Sequence, residues 1–162
     1  MVTSCGFVAP VGFEPIENSG GTYTKQDCEI KSWRRLLPKL KEQYPRMKFN
    51  ILADSLFAEE ATFSACDQYG YNFFICLQDD KLPSVRDQLP STDDRPFIKW
   101  TGEKRQFDGE GVHRITQIAR WKTPITYHGE IYNVFQYEEL NANGDRIYFN
   151  QWISNVKPDS SN

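Results

Sequence analysis

The sequence predicts an α+β fold, and three observations carry that prediction. Residues 25 to 43 hold Ile30, Trp33, Leu36, Leu37 and Leu40 at three- and four-residue intervals, the spacing of an amphipathic helix. Residues 48 to 78 read as strand, helix and strand, the βαβ unit of a parallel pair with its right-handed crossover. From Phe97 onward two-residue alternation takes over, which is the mark of half-buried antiparallel strands.

The elements follow in order. Val8, Val11 and Phe13 predict an edge strand, and Glu17-Asn18-Ser19-Gly20-Gly21 a turn. Thr24 is placed to cap the helix that follows, with Asp27 and Glu29 near the positive end of its dipole. Pro38 removes a backbone donor and should kink or divide this helix. Tyr44-Pro45-Arg46 ends it and leads into a strand, Phe49 to Ala53, closed by Asp54. Ser55 then stands ahead of a helical face of small residues, Ala58, Ala61, Ala65, Cys66 and Tyr69, with Gly70 as its stop. Tyr71 to Leu77 is nearly all apolar and is expected to be buried on both faces. Asp79-Asp80-Lys81 turns the chain, and Leu82 to Leu89 forms a short helix with Pro83 in its first turn and Pro90 beyond its end. Three strands follow, Val112 to Ala119, Ile131 to Tyr137 and Arg146 to Ile153, folded antiparallel by turns at His128-Gly129 and at Asn141 to Gly144.

Composition bounds the function. At 162 residues, 39% hydrophobic, the chain can bury a core, yet its apolar runs are too short to cross a bilayer. Its amino terminus lacks the basic start and apolar centre of a signal peptide, so a cytoplasmic location is expected. Cys5, Cys28, Cys66 and Cys76 include no pair at zinc-knuckle separation and read as reduced thiols. His113 and His128 have no nearby nucleophile pattern, and no glycine-rich phosphate loop is present. The net charge of −3 argues against a uniformly basic nucleic-acid binder, but residues 25 to 48 carry eight basic side chains against three acidic ones. Within that segment Lys31, Arg34, Arg35, Lys39 and Lys41 are candidates to meet DNA phosphates, or else they form a solvated helix face. Trp121 and Trp152 could stack on bases or fill the core.

Asp54 is the candidate chemical residue. Ligands and metals gather beyond the carboxyl ends of strands in open α/β sheets, and a carboxylate is a hard oxygen donor. The competing role is that of a turn former or helix cap.

Five blocks in order and spacing, Lys25-Gln26-Asp27-Cys28-Glu29, Tyr44-Pro45-Arg46, Leu52 to Ala58, Leu77 to Val85 and Trp152-Ile153-Ser154-Asn155, resemble the catalytic domain of DDE transposases from bacterial insertion sequences. The resemblance spans about residues 6 to 156. It implies an RNase H-like fold in which two aspartates and a glutamate bind two Mg²⁺ or Mn²⁺ ions for phosphodiester cleavage and strand transfer on DNA. Asp54 then stands as the second aspartate and a metal ligand. Residues 1 to 90 correspond to a partial RNase H-like core, 91 to 156 to a β-rich insertion and 157 to 162 to a mobile tail.

The departures from the pattern matter as much. No aspartate occurs in residues 1 to 13, and the helix that bears the family's glutamate belongs after Val156. The expectation is a transposase fragment truncated at both ends and inactive alone, with a sheet edge exposed where the first core strand is missing. Asp27, Glu59 and Glu60 are the substitutes within reach of the sequence, Glu59 and Glu60 also serving the helix dipole. The alternative is a non-catalytic DNA- or protein-binding module completed by another chain, such as a transposase subunit.

Overall fold

The computed structural model describes residues 10–16, 25–78, 81–89, 96–105 and 112–158, with the side chains of 25–28, 105, 112 and 113 outside the description. Val8, the turn at Glu17 to Gly21, the cap at Thr24, Asp79, Asp80, Pro90, Cys5 and residues 159–162 of the tail lie outside the described residues.

Among the described residues the fold is mixed α/β. It comprises α1 (Lys25–Gln43), β1 (Asn50–Ala53), a 3₁₀ turn (Ser55–Phe57), α2 (Glu60–Tyr69), β2 (Asn72–Cys76), α3 (Pro83–Arg86), β3 (Phe97–Arg105), β4 (Val112–Tyr127), β5 (Glu130–Leu140) and β6 (Arg146–Ser154). The six strands form one sheet in the order β1-β2-β6-β5-β4-β3. β1 and β2 run parallel, while the remaining neighbours are antiparallel. Strands from both sides of residue 91 therefore share one sheet, joined where β6 pairs with β2.

The α1 stripe packs as its spacing requires: Leu37 and Leu40 are buried, and Trp33 and Leu36 lie against the same core. Pro38 does not divide the helix, which is continuous from Lys25 to Gln43. The buried leucines on either side of Pro38 hold the segment against the core despite the missing backbone donor. The amino-terminal edge strand is also corrected, because residues 10–16 include no strand. The Pro15 carbonyl and Glu14 carboxylate of this segment meet α1 instead of a sheet neighbour. The Pro15 carbonyl accepts from Ser32 Oγ at 3.2 Å and from Arg35 at 2.9 Å. Gly12 passes so close to α1 that a Cβ there would lie 3.3 Å from methyls of both Leu36 and Leu40.

Gly70 ends α2 in the left-handed region at φ 68° and returns the chain to β2, completing the βαβ unit. β2 is covered on one face only. Phe73 and Ile75 are fully buried, Phe63 of α2 stacking on Phe73 at a centroid distance of 4.9 Å. Phe74 and Cys76 on the other face are half-buried and Asn72 is exposed, against the expectation of burial on both faces. That second face continues across the sheet through Leu52, Phe74, Phe135, Trp121 and Tyr137, and no described helix covers it. The α3 helix is shorter than the spacing suggested, four residues with Pro83 in its first turn.

The hairpin between β4 and β5 turns on His128 and Gly129, both at positive φ (49° and 84°), the backbone that matches strand twist in a two-residue loop. Asn141 organises the next loop by accepting from the backbone N–H groups of Asn143 and Asp145 at 2.9 Å each. β4 extends beyond Ala119 to Tyr127, passing Pro124 through an irregularity between Lys122 and Ile125.

The Ser154-Asn155 pair closes the junction of β6 with β2. Ser154 Oγ donates to the Phe73 carbonyl at 2.5 Å, and Asn155 Oδ1 accepts from the Phe73 N–H at 3.0 Å. Asn155 Nδ2 reaches Asp67 Oδ1 at 2.7 Å and the Tyr71 carbonyl at 3.1 Å. Removing this amide orphans a backbone donor in the core-facing strand, so Asn155→Ala should destabilise the fold by about 1–3 kcal/mol. Urea unfolding should show a lower midpoint at unchanged slope, and an unmoved midpoint would refute the clamp.

Candidate functional site around Asp54

β1 delivers Asp54 to the carboxyl end of the parallel pair, at the edge of the sheet. The residue is exposed and extended, φ −77° and ψ −179°, and its Oδ1 accepts from the Leu56 N–H at 3.0 Å. It thereby caps the 3₁₀ turn. Ser55 and Ala58 are buried beneath it, and Phe57 packs edge-on against Trp33 of α1 with centroids 5.8 Å apart. The capping role and the strand-end position thus coincide in one carboxylate.

The nearby carboxylates have other partners. Glu59 meets Arg34 of α1 at 3.1 Å and accepts from Thr62 Oγ1 at 3.4 Å. Glu60 faces His128 Nδ1 at 3.2 Å. Among the described residues no three His, Cys, Asp or Glu side chains gather as a metal site requires. The reading of Asp54, Glu59 and Glu60 as a joint metal site is therefore not supported by their placement; the side chain of Asp27 lies outside the description.

The basic helix is partly neutralised. Glu14, from the segment lying on α1, bridges Arg35 at 2.6 Å and Lys39 at 2.5 Å. Hydrogen bonds from Lys39 and Arg35 hold its carboxyl below the usual glutamate range. Arg34 is paired with Glu59, and Lys41 lies 5.9 Å above the Tyr71 ring. Lys31 is exposed. Sequence reasoning could not see these pairings, because Glu14 stands 21 and 25 residues from its partners.

Two further features lie apart from Asp54. Cys66 is buried, and burial pushes its thiol up to about 12, which makes it a core residue instead of a nucleophile. Cys66 and Cys76 are both free thiols. An open cleft of about 420 Å³ is lined by Ser64, Asp67, Glu130, Ile131, Tyr132 and Asn155. It sits beside the clamp on Tyr71 and Phe73, at the opposite end of the parallel pair from Asp54.

Comparison of the chain with protein-family models and with curated protein sequences gave no match. No described helix is long and apolar enough to cross a membrane.

The cap can be separated from any ligand role by substitution. Asn caps as well as Asp, whereas Ala cannot accept the Leu56 N–H. Asp54→Ala should cost about 0.5–2 kcal/mol of stability and Asp54→Asn only a few tenths. Thermal or urea unfolding of both variants checks this, and equal losses would remove the capping role.

Proposed function

We propose that the chain carries part of the RNase H-like catalytic core of a DDE transposase of a bacterial insertion sequence, with Asp54 at a metal-ligand position. The observation that supports it is the exposed carboxylate at the carboxyl end of β1, within a βαβ unit whose first strand end and turn form one of the blocks that carry the resemblance, Leu52 to Ala58. DNA transposition by metal-dependent phosphodiester cleavage and strand transfer is the chemistry this reading implies, with Mg²⁺ or Mn²⁺ as the ion. The described residues do not fit a two-metal site by themselves, since no three His, Cys, Asp or Glu side chains among them converge on one point. On this reading the chain cuts DNA only when other segments contribute the remaining ligands.

Incubation of the purified chain with plasmid DNA and Mg²⁺ or Mn²⁺ should leave the supercoiled form intact. Nicking that is abolished by Asp54→Asn would overturn the incomplete-site reading while retaining the transposase. The DNA flanking the reading frame tests the parentage: it should encode an aspartate-bearing strand upstream and a glutamate-bearing helix downstream, and flanks encoding neither would sink the proposal.

A second reading, a non-catalytic interaction module covered by a transposase subunit or another protein, is favoured by the helix-free face of the sheet. Leu52 is 78% exposed there, and Ile98, Trp100 and Tyr148 on the same face are also exposed. A contiguous apolar face of this kind marks an interaction site in a soluble domain. Sedimentation across a range of concentrations should then show self-association or a stable complex that Trp100→Glu weakens at least tenfold; a monomer at every concentration, with and without a full-length transposase, would discard this reading.

A further inference from the structure

We propose that the outer part of the other sheet face, where β3 to β6 run beyond the helices, binds single-stranded nucleic acid. The argument begins with charge. On this face the pairing register sets Phe97 beside Arg120, Lys99 beside Ile118, and Glu103 beside Arg114, with Glu138 and Phe149 continuing the row of Ile118. Arg146 joins them, opposite Leu140. In these outer rows the described residues place four cations, Lys99, Arg114, Arg120 and Arg146, against two carboxylates, Glu103 and Glu138, in a chain whose net charge is −3. The positive surplus is therefore a property of this face and not of the molecule.

Internal pairing does not cancel it. Glu138 is the inward acid: it pairs with Arg120, and Arg146 approaches its second oxygen at 3.9 Å. One carboxylate thus serves two guanidinium groups. Lys99 and Arg114 are exposed, and the Arg146 side chain is 57% exposed. The opposite face differs, since Lys104 there is matched by Glu139 at 2.6 Å.

The second observation is aromatic. Phe97 is 56% and Phe149 41% exposed, each with a guanidinium over its ring, Arg120 at 5.7 Å and Arg146 at 4.7 Å. They stand on the two outer strands of the four, three strand spacings or about 14 Å apart across the sheet and offset by two residues along it. Exposed rings flanked by cations suit a strand whose bases are unstacked, with phosphates on the lysine and arginines and bases on the rings. A duplex keeps its bases stacked and would use the charge alone. An acidic protein surface would likewise use the charge and leave the rings idle. The inference extends the DNA reading above, but it is carried by this sheet face and requires neither Asp54 nor a metal.

The test is fluorescence anisotropy of a labelled single-stranded DNA oligonucleotide, and of its duplex, titrated with the whole chain in EDTA over a range of salt. Single-strand affinity should exceed duplex affinity and fall with salt. Lys99→Glu with Arg114→Glu should weaken it at least tenfold and flatten the logarithmic salt slope by about 1.4, two contacts at about 0.7 each. Lys99→Gln with Arg114→Gln should flatten the slope similarly, with circular dichroism confirming the fold of each variant. Phe149→Leu should cost about tenfold on the single strand and leave the salt slope unchanged. Lys31→Glu with Lys41→Glu on α1 should change affinity less than twofold.

Absence of binding at low salt, loss of binding in the α1 variant but not in the sheet variants, or equal displacement by polyglutamate would each overturn the proposal. Binding through this face with flanking DNA that encodes no transposase segments would keep this inference and remove the transposase reading. The reverse pair of results would do the opposite.

Discussion

The fold depends on one strand being shared. β2 pairs parallel with β1 on one side and antiparallel with β6 on the other, so it is the seam between the βαβ unit and the four-stranded block. The ladder to β6 covers only Phe74, Ile75 and Cys76. At its amino-terminal end, β2 relies on Ser154 and Asn155, which take both the carbonyl and the N–H of Phe73. Phe73 is fully buried, and a backbone group left unpaired beside it would carry a desolvation penalty of about 1–3 kcal/mol. The same amide holds Asp67 of α2, so the clamp also anchors the crossover helix. The Trp-Ile-Ser-Asn block thereby has a structural account independent of catalysis: Ile153 fills the core, Trp152 lies on the open face, and Ser154 and Asn155 close the seam.

Local chemistry was legible in the sequence to the extent that it is local. The α1 stripe, the left-handed Gly70 and the His128-Gly129 turn depend on residues a few positions apart, and the parallel βαβ unit on three consecutive elements each with its own local pattern; each is where its pattern indicated. The pairing of β6 with β2 joins residues about eighty positions apart, for which periodicity carries no signal. β4 runs past Ala119 to Tyr127 even though it contains Pro124, because the irregularity between Lys122 and Ile125 accommodates the missing backbone donor. The segment at 10–16 alternates like an edge strand, but Gly12 and Glu14 fit α1 better than a sheet neighbour, by close approach to Leu36 and Leu40 and by two ion pairs. Asp54 itself was readable as a strand-end carboxylate, whereas its neighbours' engagement was not, because Arg34 and Glu59 meet across 25 residues of chain.

Charge is sorted in this molecule by element. The basic run of α1, the most obvious polyanion site in the sequence, loses much of its field to Glu14 and Glu59. The strands show no comparable run, because cations that alternate with apolar residues are diluted along the chain and gather only when strands align. Lys99, Arg114 and Arg120 lie on two strands, yet register brings them to one face. A basic surface on a sheet is therefore invisible to a linear count, while a basic helix is overstated by one.

Asp54 raises a question of capacity. A carboxylate has two oxygens with about four acceptor positions, so accepting the Leu56 N–H leaves room for a cation, and cap and ligand are compatible roles. The pairing of Glu59 with Arg34 is not a strong obstacle either, since both groups are substantially exposed and such bridges contribute about 0–1 kcal/mol. Ligand number and direction decide the matter. A hard divalent ion needs several oxygens converging on one point, and releasing Glu59 would supply a carboxylate from the far side of the 3₁₀ turn, not from a neighbouring strand. Among the described residues β1 is an edge strand, and on the transposase reading its outer edge is where a further strand could present another carboxylate beside Asp54. On the transposase reading, metal binding at Asp54 is limited by what pairs with β1, and the geometry of the edge, not the acidity of any nearby residue, sets that limit.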